Sequence, residues 1–330
     1  MLFILPASTF EEKLATNRTL RYSMAIIPNL TIQQGFELAV QHHQAGRLAQ
    51  AEILYRQILA VEPRHADALH LLGVSAHQLG KHDAAVDLIR KAIALAPDNA
   101  ACHSNLSEVL RVLGRCEDAA DAASRAILLQ PDYAEAHNNL GNALYLLHRC
   151  DEADTAFRRA LELRPNFPEA HNNLGNVLRD TGRLDEAIGS YRQAMAVEPE
   201  HPANHSNLIY TLHFHPGHDA PVILDEERQW NRHFAEPLRK FHRPHANNRD
   251  PGRKLRLGYV SADLCDHVVG RNVLPIVERH EREQFEVFCY SGSARRDALS
   301  QRFQQAATGW RDIAAASDEN IAQIIREDHI

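Results

Sequence analysis

A stack of helical hairpins followed by a small parallel α/β unit is the architecture this sequence predicts, and three observations predict it. The stretch Ala136-His137-Asn138-Asn139-Leu140-Gly141-Asn142 returns 34 residues later as Ala170-His171-Asn172-Asn173-Leu174-Gly175-Asn176. Prolines at Pro63, Pro97, Pro131, Pro165 and Pro199 keep the same period, as do Ala51, Ala85, Ala119, Ala153 and Ala187. From Leu255 onward, short aromatic and β-branched runs alternate with helix-length segments. A fixed period of this length marks one supersecondary unit stacked on its own copies. Strands alternating with helices mark a doubly wound parallel sheet. The fold class is mainly α.

Residues 1–29 fit no repeat and form an N-terminal tail. Met1–Leu5 is apolar but lacks a basic flank and is stopped by Pro6, so it makes a poor signal peptide. Met24 is the expected natural start, and a native peptide spanning Glu11–Tyr22 would contradict that. The array occupies 30–215: five units from about Ile32 to His201, then Pro202–His215 as the first helix of a sixth. Gly46, Gly80, Gly114 and Gly182 mark the turn between the two helices of a unit, with His148 standing in at the fourth place. Residues 216–245 form a capping region whose apolar spacing predicts a helix over 221–241. The segment 246–254, with Asn247-Asn248-Arg249-Asp250-Pro251-Gly252, is the linker.

The rest, 255–330, reads as strand Leu255–Ser261, a helix around Asn272–His280, strand Phe285–Tyr290, and a helix over Asp297–Ala307. The short Trp310-Arg311-Asp312 segment and a helix over Asp318–Arg326 complete it. Ligands in such sheets bind beyond the carboxyl ends of the strands, which are here Ser261–Gly270 and Ser291–Arg296. The pattern calls for another strand after Ile330, so this lobe is expected to be incomplete. Two or three strands are expected not to support a sheet covered on both faces.

The net charge of −7 arises in the array, where residues 30–215 carry 23 acidic and 16 basic side chains. No basic stripe exists, which argues against a nucleic-acid partner. No apolar run approaches the ~18 residues of a membrane span. Five cysteines without CxxC spacing point to a reducing, cytoplasmic location. Cys116 and Cys150 share a repeat position, but units about 10 Å apart keep them beyond disulfide reach. Of the 21 histidines, His103, His137, His171 and His205 are one repeat position copied, and His213, His215 and His218 lack a completing carboxylate or Cys. Neither a metal nor a cofactor is expected.

The period, with Leu and Gly or Ala in a first helix, small residues and an aromatic in a second, then Pro, resembles the tetratricopeptide repeat (TPR). Behind the array, Arg256-Leu257-Gly258-Tyr259-Val260-Ser261-Ala262-Asp263 and Phe285-Glu286-Val287-Phe288-Cys289-Tyr290-Ser291 resemble bacterial TPR-containing protein O-GlcNAc transferases. That resemblance covers Leu30 to the C-terminus. It implies a TPR α-solenoid followed by an incomplete Rossmann-like lobe of the GT-B type, with UDP-GlcNAc as sugar donor and Ser or Thr of proteins as acceptor. It also implies that a family loop motif, Asp-Phe-x-x-His-Pro, maps onto Asp263-Leu264-Cys265-Asp266-His267-Val268. His267 then matches the active-site histidine and Asp263 supports its loop. Leu264 replaces the aromatic and Val268 the proline. The family holds its donor mainly on a second lobe, so these 330 residues are expected not to transfer sugar unaided. The alternative is a TPR protein-interaction scaffold with a vestigial catalytic segment.

Asn105, Asn139, Asn173 and Asn207 recur every 34 residues on the first helices, where the two earlier units have Glu37 and Leu71. The adjacent Leu106, Leu140, Leu174 and Leu208 fill the core, so these amides are expected to line the inner wall. An amide offers both donor and acceptor, which suits a polypeptide backbone. Units at about 10 Å meet every third residue or so of an extended chain. The family has such an asparagine ladder, and Asn142 and Asn176, one turn on, extend the row. The expected partner is an extended segment of an acceptor protein.

Overall fold

The computed structural model describes residues 30–244, 250, 252–293 and 295–330. The expected tail, Met24 with it, and most of the expected linker lie outside the described residues. The chain forms two compact units, one ending at Leu238 and the other beginning at Arg239. Each has its own core.

In the first unit, helices pair as α1 (Ile32–Gln44) with α2 (Leu48–Val61), α3 (Ala66–Gln78) with α4 (His82–Leu95), and α5 (Ala100–Val112) with α6 (Cys116–Leu129). Then come α7 (Ala134–Leu146) with α8 (Cys150–Leu163), α9 (Pro168–Asp180) with α10 (Leu184–Val197), and α11 (Pro202–Leu212). The array is thus an α-solenoid, as the period requires. Within each unit the first helix ends in a residue of positive φ: Gly46, Gly80, Gly114 and Gly182 at 71–78°, and His148 at 59°. The next amide reaches back to the first helix's orphan carbonyls, as Arg115 N to Leu110 O and Arg149 N to Leu144 O, each 2.9 Å.

The two helices of a unit cross so closely that only small residues fit. Ala51, Ala85, Ala119, Ala153 and Ala187 are all fully buried. A Cβ on Gly141 would lie 2.6 Å from the Phe157 ring, and one on Gly175 equally close to Tyr191. After α11 comes α12 (Ala220–Trp230), N-capped by Asp219, whose carboxylate accepts from Val222 N at 3.3 Å. The helical path continues as a wide turn over Asn231–Ala235 and a 3₁₀ turn over Glu236–Phe241. The expected helix over 221–241 therefore keeps α geometry only as far as Trp230, about half its length. Pro237 has no amide proton to give and crowds the carbonyl four residues back.

The second unit has strands β1 (Leu255–Ser261), β2 (Phe285–Ser291) and β3 (Gly309–Asp312), parallel and in that order, with Leu255 opposite Phe285 and Phe288 opposite Gly309. Helices α13 (Val268–Arg279) and α14 (Ala298–Ala306) cover one face, where Leu274, Val277, Val287, Cys289 and Phe303 are buried together. Helix α15 (Asp318–Glu327) covers the other, with Ile321, Ile324 and Ile325 against Phe288 and Tyr290. Three strands suffice to bury β2 on both faces, contrary to the expectation, because α15 has already crossed to the second face. β1 stays half-covered, with Leu255 48% and Val260 55% exposed.

His148 holds a left-handed conformation that costs a side chain about 1–2 kcal/mol. His148→Gly is expected to stabilise the array by about 1 kcal/mol. Gly175→Ala is expected to destabilise it by about 1–3 kcal/mol through overpacking on Tyr191. Urea unfolding of both variants checks the two signs.

Candidate functional site

The asparagine ladder is a chain of hydrogen bonds between units. Asn139 Nδ2 donates to Ser104 O and Ser104 Oγ, both at 3.1 Å. Asn173 Nδ2 donates to Asn138 Oδ1 at 3.1 Å and Asn207 Nδ2 to Asn172 Oδ1 at 2.8 Å. Asn105 Nδ2 meets His70 Nε2 at 2.8 Å. The acceptor always sits just before the ladder position of the preceding unit. All four amides therefore point the same way, nitrogen into the stack and carbonyl oxygen away from it. Each of the four is half-buried, so the oxygen remains accessible.

These acceptors were not singled out from the sequence. The signal was there, since Asn138 with Asn173 and Asn172 with Asn207 repeat at an offset of 35 residues. The same offset joins Tyr145 to Asp180 and His43 to Gln78. Asn142 is half-buried on the ladder's face. Asn176 is turned inward, its Oδ1 accepting from the Tyr191 hydroxyl at 2.9 Å. In the unit before, Phe157 has no hydroxyl to make that bond.

The repeated histidines tie each first helix to the preceding proline. His103, His137 and His171 meet the carbonyls of Pro97, Pro131 and Pro165 at 2.9–3.0 Å. His205 instead meets Glu226 of α12 at 3.0 Å, locking the terminal helix on. Among the described residues no three His, Cys, Asp or Glu side chains gather as a metal set, and all five cysteines are free. No helix among them is long and apolar enough to cross a membrane.

At the carboxyl edge of the sheet, β1 and β2 end in register at Ser261 and Ser291. Each hydroxyl takes the amide two residues on, Asp263 N at 3.0 Å and Ser293 N at 3.3 Å. Asp297, the N-cap of α14, also accepts from Asp266 N at 2.7 Å and so holds the loop after β1. That amide, with Ser300 N, keeps its carboxyl below the usual range. His267 opens α13, four residues earlier than expected, because its Nδ1 accepts from Val269 N at 3.3 Å. Nδ1 lies 3.7 Å from Asp263 Oδ2, so the two expected site residues are neighbours. With Nδ1 accepting, the neutral ring carries its proton on Nε2 and presents a donor rather than a base.

Both departures in this loop have a structural account. Leu264 is buried with Leu274, Val277 and Phe303, an apolar anchor in the aromatic's place. Val268 occupies the first turn of α13, where Pro is favoured but not needed. Gly270 lets the loop fold back on the helix, since a Cβ there would meet Cys265 O at 2.2 Å.

A stack of TPR-like hairpins and a parallel α/β unit with a histidine and a carboxylate at its carboxyl edge define the class. Comparison with known proteins agrees. The tetratricopeptide repeat model matches residues 36–100, 105–153 and 147–204, and the glycosyl transferase family 41 model matches 235–330. The chain belongs to the tetratricopeptide repeat family and carries, behind the repeats, the start of an O-GlcNAc-transferase-type catalytic domain.

Among solved structures, a variant of the Thermobaculum terrenum O-GlcNAc transferase is similar at 32% identity and a TM-score of 0.61, over 70% of this chain and 44% of that one. The probable UDP-N-acetylglucosamine–peptide N-acetylglucosaminyltransferase SEC of Arabidopsis thaliana is 39% identical over 79 residues, 24% of this chain and 8% of its own length. SPINDLY of Petunia hybrida, whose description is the same, is 28% identical over 112 residues, 33% of this chain and 12% of its own. The chain thus spans about a tenth of the curated relatives and under half of the bacterial transferase.

Burial lowers the pKa of His70, the partner of Asn105, below its ordinary 6.5, with Asp67 opposing. Burial, then His82, lowers that of His77, whose Nδ1 meets His82 Nδ1 at 3.0 Å, with Glu108 opposing and Arg111 adding. Unfolding lets both take up protons near 6.5, so their contribution is complete above that pH and is lost as pH falls below it. The melting temperature is expected to drop between pH 7.5 and pH 5. In His70→Gln/His77→Gln the drop should shrink. Melts across that range by circular dichroism check it.

Proposed function

We propose that this chain takes part in protein O-GlcNAc transfer: the array holds an extended segment of the acceptor protein, and the α/β unit contributes His267 and its loop near the acceptor hydroxyl. UDP-GlcNAc is the donor in this reading, and the five free thiols suit a reducing, cytoplasmic setting. The observation that carries it is the common orientation of Asn105, Asn139, Asn173 and Asn207. Four outward carbonyl oxygens, one per unit, form a row of acceptors for backbone N–H groups, and the amide nitrogens of Asn105, Asn173 and Asn207, each with one partner in the stack, keep a second proton for a backbone carbonyl. Such a row grips a chain without reading its side chains.

In this reading Nε2–H of His267 donates to an oxygen of sugar or acceptor, and Asp263, 3.7 Å from Nδ1, supports the ring; the Nδ1 bond to Val269 N supports the reading by leaving Nε2 as the donor. Arg271 and Arg296 are held by Asp266 and Asp312. A diphosphate finds in these two no unpaired cation. On this reading the 330-residue polypeptide binds acceptor peptide without transferring sugar. Turnover of UDP-GlcNAc that disappears in His267→Ala would overturn that part.

Replacing Asn105, Asn139, Asn173 and Asn207 by Ala, one after another, is expected to weaken binding of extended peptides by about 0.5–1.5 kcal/mol at each step. Because each amide also bridges two units, stability should fall by a similar increment per substitution. Titration at 15 °C, where every variant remains folded by circular dichroism, separates the two effects. Unchanged affinity in the quadruple variant would make the ladder purely structural.

A further inference from the structure

Seven residues beyond each ladder position lies a second row: in the first five units it is the last residue of the first helix, nearly two turns on and only about 20° away around it, and in the sixth it falls in the turn just after α11. It reads Gln44, Gln78, Val112, Leu146, Asp180, Phe214. Val112, Leu146 and Phe214 are large apolar side chains exposed to 43%, 46% and 56%. Periodic exposure of this kind is not core, and it costs solubility unless something covers it.

The other three positions are polar, and two of them are already occupied. Gln78 is bonded by His43 Nε2 at 2.9 Å, and Asp180 takes both the Tyr145 hydroxyl and the Arg179 guanidinium. Phe214 is braced as well, its ring 4.9 Å from that of Tyr210, over which Arg179 lies at 5.4 Å. The row therefore offers apolar contact at the third, fourth and sixth units and nothing free at the fifth.

We propose that this row reads side chains: it selects polypeptide segments in the polyproline II conformation with apolar residues facing Val112, Leu146 and Phe214. The occupant follows from the pitch. A polyproline II chain turns every three residues and rises about 9.3 Å per turn, which matches units stacked at about 10 Å. A β-strand alternates faces every two residues and falls out of step. Polyproline II also leaves its own N–H and C=O groups unbonded, as the asparagine row requires. The gap at Asp180 makes the spacing uneven, with apolar residues three and then six apart, or six and then three if the segment runs the other way. The inference rests on the groove reading above and adds the sequence class that the groove prefers.

Four fluorescein-labelled 12-residue peptides built on Pro and Ala test it on the full chain by fluorescence polarisation. One carries Leu at positions 1, 4 and 10, one at 1, 7 and 10, one at 1, 2 and 3, and one carries none. One of the two spaced peptides is expected to bind about fivefold or more tightly than the clustered one, as burial of one or two further Leu side chains implies. Val112→Ser/Leu146→Ser/Phe214→Ser should erase that preference while residual binding persists, whereas the ladder variants should weaken all four peptides alike. Spaced and clustered peptides within twofold of each other would overturn the row's role yet leave the groove standing. A preference that survives in the triple variant would do the same, and binding of no peptide would overturn both. The wild-type comparison decides even if the triple variant unfolds.

Discussion

The close crossing of the two helices within each unit is the constraint from which the array follows. Gly141 admits the ring of Phe157 and Gly175 that of Tyr191, each at a distance no Cβ could tolerate. In the second unit Gly73 stands against Ile89 in the same way. In the third the positions are held by Ser107 and Ala123, both fully buried, so a larger first-helix residue goes with a smaller partner. The first unit carries Ala39 and Tyr55 at these positions, both fully buried, whereas the third trades size across the pair. Ser107 bears the cost, since its hydroxyl is buried without a partner.

A regular stack also gives the asparagine row its geometry. Each amide nitrogen is bound to the unit before it, which fixes the rotamer and turns the oxygen outward. On the proposed groove reading, stability and recognition share one side chain, and a bound polypeptide would meet amides already held in place, which lowers the entropy cost of binding. The first rung differs. Asn105 leans on an imidazole that must remain neutral to accept, while the later rungs rest on a carbonyl, a hydroxyl and two amides.

In the α/β unit, Asp328 at the end of α15 plays the corresponding part. It accepts from the Tyr290 hydroxyl at 2.8 Å and from Arg311 Nε at 3.1 Å, and its backbone carbonyl takes Arg256 Nη1 at 3.0 Å. Three strands are pinned by one residue on the second face. Burial, reinforced by that carboxylate, drives the Tyr290 hydroxyl's pKa upward. With β2 held on both faces, the loops at the carboxyl edge start from fixed points, and Ser261, Ser291 and Asp297 then set the position of His267.

By itself the sequence determined the repeat, its period, the order of strands and helices behind it, and the residue types at the two candidate sites. Periodicity is a local property of the chain: Pro, Gly and small residues act where they stand, and hydrophobic spacing reports the face a helix must bury. It did not tell that a ladder amide spends its nitrogen on the unit before, that Asn176 turns inward to Tyr191, or that three strands can be covered on both faces. Those outcomes depend on which atoms come within hydrogen-bonding distance across 35 residues of chain, or on which side of a sheet a helix returns. Such distances are set by packing between elements, and only the tertiary structure decides them.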